Sequence, residues 1–258
     1  MQALTLAYRD DDRIPVILCI REAARRYYDL DVRVVRIKGT EDYEAALFNG
    51  SCDVIIEHLE YLYEEAARGK KITMFCAPSK GGGLELVTSS EVLGLEEFRG
   101  KTMAVRTSGQ PEAVTLWLRM MGLEADVATL LVEDKEVGRW GQWKKVLSGE
   151  CVATFMSPLY LPEALAAGLA VLPAPEIPIV GHFAQACLSQ FARDRAPLLR
   201  EYVKAVVHAL CWMTLRPEEA LAAVCAELKD RMKVQDQAEI ERRFARVVKG
   251  LKVRPYPT

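Results

Sequence analysis

One segment of the sequence occurs twice, and this repeat constrains the fold more than any other feature. LFNGSCDVIIEHLEYL (47–62) aligns without a gap with VLSGECVATFMSPLYL (146–161), at an offset of 99 residues. Each copy has the order of a helix end, a glycine turn, a buried strand, a polar break and a new helix. LAYR (6–9) also echoes AVRT (104–107), at an offset of 98. We therefore predict two lobes built from the same substructure.

Strand-like and helix-like segments alternate within each predicted lobe. Leu4–Tyr8 has the apolar pattern of a strand, and Pro15–Tyr28 has the apolar spacing of a helix. A second alternating series begins after PSKGGG (78–83), and later helices are predicted at Thr214–Glu227 and Gln237–Val248. This alternation predicts an α/β fold, with parallel sheets joined by crossover helices.

The composition favours a protein that acts on small molecules. Half of the 258 residues are hydrophobic, 27% are charged, and the formal net charge is −2. Because no polybasic tract is present, we expect neither nucleic acid nor an anionic membrane as the main partner. No apolar run approaches the roughly 18 residues of a transmembrane helix, so membrane insertion is not expected.

The cysteines and histidines bear on location and on cofactors. Seven cysteines are scattered without a C-x-x-C pair, which favours a reducing compartment over a disulfide framework. No secretory signal precedes the first strand, so the sequence as written predicts a cytoplasmic protein, or a periplasmic one if a signal was removed. Three scattered histidines predict no metal site, and no cofactor has a visible signature.

Polar residues are predicted to gather where the strands end. Ligands of open α/β sheets bind beyond the carboxyl ends of the strands. Arginines there could bind an anion, and the free N–H groups of a helix start such as SGQ (108–110) attract carboxylate, sulfonate or phosphate. The alternative for this helix start is simple N-capping by Ser108. The predicted ligand-binding residues are Tyr8, Arg9, Arg13, His58, Ser108, Gly109, Gln110, Ser157 and His182.

Glu57 and His58 stand where a buried strand ends. As a functional pair they could orient a ligand, or act as a general acid and base if the protein is an enzyme. The alternative is a strand terminus that reaches water, or a histidine satisfied by a backbone carbonyl. The repeat aligns His58 with Ser157, which favours a position in a ligand cleft. His208 lies within an apolar helix and is predicted to be structural.

Several motifs resemble a known family along nearly the whole chain. They are GSCDVII (50–56), LGLEEFRGKTMAV (93–105), SGQPEAV (108–114) and AAGLAVLP (166–173). They resemble the type 2 periplasmic-binding-protein fold, and within it the solute-binding branch of taurine- and sulfonate-type uptake proteins and thiamine-pyrimidine synthases. These motifs mark turns and packing, so the resemblance is specific for the fold and not for the ligand.

The resemblance implies a two-lobed α/β fold with a ligand cleft between the lobes. Residues 1–88 and 187–258 would form lobe one, and 89–186 would form lobe two. The lobes of this family close over the ligand by hinge motion. The implied function is binding of an anionic or zwitterionic organic ligand, with an ABC permease as partner if the protein is exported.

An enzyme on the same fold is the alternative hypothesis. YRDDDRIP (8–15) is similar to the acid-rich first loop of the hydroxyphthalate-decarboxylase relatives, with Asp12 and Arg13 as its acid–arginine pair. Glu57 would supply the acid that those relatives carry near the end of the third strand. The cysteine-rich signature of the thiamine-pyrimidine synthases is absent. This resemblance implies a cytosolic lyase or decarboxylase of a small aromatic or carboxylic acid, without a cofactor.

Overall fold

The computed structural model describes residues 2–9, 13–79, 84–107, 110–158, 160–175 and 183–251. The chain divides into two compact units. Unit one comprises Met1–His58, Leu62–Lys80 and Phe183–Thr258, and unit two comprises Leu59–Tyr61 and Gly81–His182.

The described residues form ten strands, five in each unit. They are β1 (Gln2–Tyr8), β2 (Leu30–Arg36), β3 (Val54–His58), β4 (Ile72–Ser79), β5 (Glu85–Ser89), β6 (Thr102–Arg106), β7 (Ala128–Val132), β8 (Ala153–Met156), β9 (Leu169–Val171) and β10 (Phe183–Leu188).

Helices follow most strands and form the last quarter of the chain. They are α1 (Ile14–Tyr27), α2 (Thr40–Ala45), α3 (Leu59–Ala67), α4 (Pro111–Met120), α5 (Asp134–Val137), α6 (Trp143–Leu147), α7 (Leu161–Ala166), α8 (Ser189–Asp194), α9 (Ala196–Leu215), α10 (Pro217–Met232) and α11 (Gln237–Gly250). A 3₁₀ turn spans Leu95–Phe98.

Each unit contains one five-stranded mixed sheet, and both sheets have the same topology. The strand order is β2-β1-β3-β10-β4 in unit one and β7-β6-β8-β5-β9 in unit two. The first three strands in each order are parallel, as predicted. The fourth strand is antiparallel to both of its neighbours, so the prediction of wholly parallel sheets is wrong. An antiparallel neighbour needs no crossover helix before it, whereas a parallel neighbour does.

Strand pairing explains where one unit passes into the other. We expected boundaries after residues 88 and 186, whereas the units divide after Lys80 and after His182. Strand β5 pairs with β8 and β9, which draws residues 85–88 into unit two. Strand β10 pairs with β3 and β4, which draws residues 183–186 into unit one.

The predicted helix Thr214–Glu227 is divided in two by the structure. Helix α9 ends at Leu215 and α10 begins at Pro217, with Arg216 between them in a non-helical conformation (φ −140°, ψ 60°). The residue before a proline is disfavoured in the helical region because the proline ring clashes with its backbone. The Arg216–Pro217 pair therefore ends one helix and starts the next.

The larger core lies in unit one, on the face of the sheet that α1, α9 and α10 cover. Alternate residues of β1, namely Leu4, Leu6 and Tyr8, are buried in this core. They pack in one cluster with residues of all three helices, such as Ile17 and Tyr202. Alternate side chains of a strand point to the same face of the sheet, so these three face this core, while Ala7 between them is also buried.

Candidate functional site

The repeat seen in the sequence is also a repeat of hydrogen bonds. The N–H of Cys52 donates to the carbonyl of Ala46 (3.3 Å), and that of Cys151 donates to the carbonyl of Lys145 (2.9 Å). Donors and acceptors are both separated by 99 residues. The same turn therefore leads into β3 in unit one and into β8 in unit two, in the register that the sequence predicted.

The register of the strands before this motif differs from the predicted one. Leu6 of β1 lies opposite the first residue of β3, and Met103 of β6 lies opposite the first residue of β8. Leu6 and Met103 are therefore equivalent, at an offset of 97 and not 98. In this corrected register the counterpart of Arg9 is Arg106, so both units carry an arginine where the first repeated strand ends.

A side chain from outside the repeated strand satisfies its backbone in both units. The Tyr43 hydroxyl donates to the carbonyl of Ile56 (2.5 Å) and accepts from the N–H of the same residue (3.1 Å). Gln142 Nε2 donates to the carbonyl of Phe155 (2.9 Å). Both supporting residues and both strand residues are separated by 99. The hydrogen bonds of Tyr43 and Gln142 to these strands were not predicted, because tyrosine and glutamine share no recognisable sequence pattern.

Glu57 is a buried acid at the end of β3. It is 3% exposed, and its Oε1 accepts a hydrogen bond from the N–H of His58 (2.8 Å). Within the described ranges its Oε2 is buried and has no hydrogen-bond donor. Burial raises the pKa of Glu57, and the positive charges of Arg9 and Arg13 oppose that rise. The structure thus brings the predicted Glu57, Arg9 and Arg13 into one electrostatic group.

Aromatic rings lie against Arg9, Arg13 and the neighbouring His58. The guanidinium carbon of Arg13 is 3.1 Å from the centre of the Phe183 ring, and that of Arg9 is 5.4 Å from the centre of the Tyr43 ring. The ring centres of His58 and Phe183 are 4.0 Å apart, with planes tilted by 49°. Phe183, the first residue of β10, was not predicted as a site residue because β10 itself was not predicted.

Tyr8 differs from the other predicted residues of unit one because its side chain lies in the core. Only 2% of it is exposed, and its hydroxyl accepts a hydrogen bond from Nη1 of Arg231 on α10 (3.2 Å). Arg231 in turn is hydrogen-bonded to Glu227, which pairs with Arg21 of α1. The observed contacts of Tyr8 are therefore those of a packing residue, and its ligand-binding role stays a prediction.

Arg106 occupies the equivalent strand end in unit two. Its Nε donates to Oδ1 of Asp134 at 2.7 Å and its Nη2 donates to Oδ2, which makes a bidentate ion pair. Burial alone would raise the pKa of Asp134, but the hydrogen bond and charge of Arg106 outweigh it and lower that pKa. The guanidinium lies 4.7 Å from the centre of the Trp140 ring, which stacks on Tyr160 with 6.0 Å between ring centres.

Gln110 and Ser157, both predicted as ligand-binding residues, are buried in unit two. Gln110 Oε1 accepts from the N–H of Arg106 (3.2 Å), and its Nε2 lies 3.4 Å from the carbonyl of Phe155. Gln110 is the N-cap residue of α4, as Arg13 is of α1, and the offset is again 97. The contacts of Gln110 therefore support the strand ends directly, and its contact with a ligand stays a prediction.

Some predicted site residues lie outside the described residues, and some residues at the strand ends were not predicted. The first group contains Ser108, Gly109, His182 and Asp12, the acid of the predicted acid–arginine pair. Arg106 and Asp134 belong to the second group. The correct register of LAYR against AVRT would have identified Arg106, whereas no signal in the sequence marked Asp134 as its partner.

The described part of the chain shows neither a metal-binding cluster nor a membrane-spanning helix. It contains no group of three or more histidine, cysteine, aspartate or glutamate residues arranged to hold a metal ion. None of its helices combines the length and the apolar character needed to cross a membrane.

Comparison with known proteins identifies the fold. No protein-family model and no curated protein sequence matches the chain. The periplasmic aliphatic sulphonate binding protein SsuA from Escherichia coli is similar in structure, with a TM-score of 0.72 at 15% identity, over 97% of this chain and 79% of that one. The alkanesulfonate-binding protein SsuA from Xanthomonas axonopodis pv. citri, bound to MOPS, gives a TM-score of 0.67 at 16% identity, over 95% and 84%.

A third similar structure is a putative periplasmic sulfonate-binding protein SsuA from Methylobacillus flagellatus KT. Its TM-score is 0.71 at 13% identity, and the match covers 98% of this chain and 81% of that one. The TM-scores establish a common fold, whereas identities this low leave the ligand open. The chain therefore has the α/β fold of the type 2 periplasmic binding proteins.

Proposed function

We propose that the protein binds a small organic anion or zwitterion at the strand ends described above. Similar structures are described as sulfonate-binding proteins, and one of them was solved with MOPS bound. These structures are described as binding proteins and not as enzymes, so they support solute binding over the lyase alternative.

The observation that carries the proposal is the arginine at the same strand end of each unit. Arg9 and Arg106 occupy equivalent positions, and each guanidinium lies near an aromatic ring, that of Tyr43 or that of Trp140. Arginine presents a planar fork of donors that matches a carboxylate or sulfonate. Asp134 holds Arg106 in one orientation, which lowers the entropy lost when an anion binds.

Glu57 supports the zwitterionic form of the ligand. Its Oε2 has no donor among the described residues, although the acid is 3% exposed. A buried acceptor without a donor costs free energy, and an ammonium group on the ligand would supply the missing hydrogen bond. A ligand with an anionic and a cationic end would therefore satisfy both Arg9 and this acid, which lie in the same unit.

The proposal includes a location and a mode of action. The similar proteins from Escherichia coli and Methylobacillus flagellatus KT are described as periplasmic, which supports the periplasmic alternative over the cytoplasmic one. In that setting the protein would deliver its solute to an ABC permease.

A ligand screen with a matched pair of variants tests the proposal. Purified protein is screened by thermal shift against alkanesulfonates, amino sulfonates, carboxylates and aromatic acids, and the affinity of each hit is measured by calorimetry. We expect Arg9→Gln to weaken binding at least tenfold, about 1.4 kcal/mol. Arg33→Gln is the control, because Arg33 lies in the same sheet with a 68% exposed side chain. Equal affinities of the two variants would refute the role of Arg9.

His58 provides a second test of the same site. We expect His58→Ala to weaken binding at least tenfold, about 1.4 kcal/mol. Unchanged affinity with an intact circular dichroism spectrum would remove His58 from the site. Each hit is also recovered after long incubation: an unchanged compound agrees with solute binding, whereas a chemically altered one would favour the lyase.

A further inference from the structure

A groove on the surface of unit one is not used by the proposed function. It is formed by the end of α1, the second half of α9 and the start of α10, and it has a volume of about 630 Å³. Pockets for small ligands typically measure about 300–1,000 Å³. The groove is thus large enough for a molecule with one or two rings.

Aromatic side chains form one wall of the groove. The rings of Tyr27 and His208 are stacked, with 4.3 Å between centres and 14° between planes. Tyr28 meets His208 edge-on with 6.0 Å between centres, and its hydroxyl is 3.3 Å from His208 Nδ1. His208, which was predicted to be structural, lies in this aromatic wall. Stacked and edge-on rings of this kind favour a planar aromatic guest.

Large apolar side chains at the groove are unusually exposed. The exposed fraction is 53% for Tyr27, 53% for Val207 and 78% for Leu215. All three line the groove. A guest that covered them would remove apolar surface from water, at about 25 cal/mol per Å². Clustered exposure of this kind marks an interaction site more often than single exposed residues do.

The charges that line the groove favour an acidic guest. Lys204 and Arg216 are positive and Glu219 is negative, so the lining has a formal charge of +1 with His208 neutral. Arg216 lies 3.5 Å from Glu219, and Lys204 lies 2.8 Å from Glu201, all with exposed side chains. Exposed ion pairs are weak, so a ligand acid can compete for these cations.

We propose that this groove is a second binding site, for a planar aromatic molecule that carries one carboxylate or sulfonate. The aromatic ring packs against the Tyr27–His208 stack and beneath Val207 and Leu215. The acidic group faces Lys204. This site does not rest on the proposed function, because it uses none of the strand-end residues.

Fluorescence of 8-anilinonaphthalene-1-sulfonate tests the proposal on the full chain. We expect saturable binding of this probe, displaced by naphthalene-2-carboxylate and about threefold less effectively by the neutral naphthalene-2-carboxamide. Val207→Glu places bulk and negative charge in the groove and should weaken probe binding at least tenfold. Met120→Glu is the matched control, because Met120 is 56% exposed on α4 of unit two.

Two further variants test whether the loss is specific to the groove and test the charge of the groove. Arg33→Gln, at an exposed position of the sheet of unit one, should leave probe affinity unchanged. Because the expected loss is measured at Val207 on α9, failure of the proposed function would not affect this result. Lys204→Gln should abolish the preference for the carboxylate over the carboxamide. Absence of saturable binding, or equal loss of binding in Val207→Glu and Met120→Glu, would overturn the proposal.

Discussion

Removal of the Tyr43 hydroxyl tests how the strand end that carries Glu57 and His58 is held. The β1–β3 ladder ends at the pair Ala7 and Ile55, and one residue later the hydroxyl of Tyr43 takes over both backbone groups of Ile56. Tyr43→Phe deletes only this hydroxyl and keeps the ring that lies near Arg9. The variant therefore isolates the two hydrogen bonds.

The expected cost follows from the burial of the strand. Ile56 is 5% exposed and Tyr43 is 1% exposed, so water cannot readily replace the hydroxyl. A buried polar group without a partner costs about 1–3 kcal/mol, and two such groups are left behind. Allowing for local relaxation, we expect a loss of about 2 kcal/mol, which lowers the Tm of a chain of this size by roughly 4–8 °C.

Thermal unfolding followed by circular dichroism measures this loss, with Tyr63→Phe as the control. Tyr63 lies on α3 and is 55% exposed, so its hydroxyl should contribute within about 0.5 kcal/mol. We expect the Tm of Tyr43→Phe to lie well below that of Tyr63→Phe. If the two variants melt within about 1 °C of each other, the Tyr43 hydroxyl does not hold the strand end.

Two further predictions follow from burial of ionisable groups. Because the pKa of Glu57 is raised above 4.5 in the folded state, its carboxyl destabilises the protein increasingly as the pH rises from 4.5 through the folded pKa. The Tm of Glu57→Gln relative to wild type should therefore rise between pH 4 and pH 7, and a constant or falling difference would contradict this. Burial raises the pKa of Cys19 to about 12, so at pH 8 a thiol reagent should label the partly exposed Cys211 much faster than Cys19. Mass spectrometry of the two cysteine-containing peptides measures both labelling rates in the folded protein. Equal rates would contradict the second prediction.

The strands and helices were largely predictable because their signals are local. The pattern of VII in residues 54–56 and the spacing of apolar residues in Pro15–Tyr28 each record burial within one element. The repeat at an offset of 99 was also predictable, because its glycine turn and strand are contiguous in both copies. The shorter echo, LAYR against AVRT, was placed one residue out of register, because a four-residue match does not fix an alignment that strand pairing fixes.

The candidate site was only partly predictable. Arg9, Arg13 and Glu57 were predicted together because polar residues that follow parallel strands lie at one edge of a sheet, and the structure places them in one electrostatic group, while their ligand-binding role stays a prediction. The side chain of Tyr8 lies in the core, because alternate residues of β1 face this core, and its ligand-binding role also stays a prediction. Phe183 was missed because β10 was not predicted, and nothing local identifies residues 183–188 as an inner strand.

The sequence by itself determined most of the strands and helices, the repeated substructure and the types of residue at the strand ends. These properties depend on residue type and spacing along the chain. Only the tertiary structure decided the antiparallel fourth strand in each sheet, the equivalence of Arg9 with Arg106, and the pairing of Arg106 with Asp134. The reason is physical: burial leaves a periodic pattern in the sequence, whereas the choice of partner depends on which distant segments the fold brings within hydrogen-bonding distance.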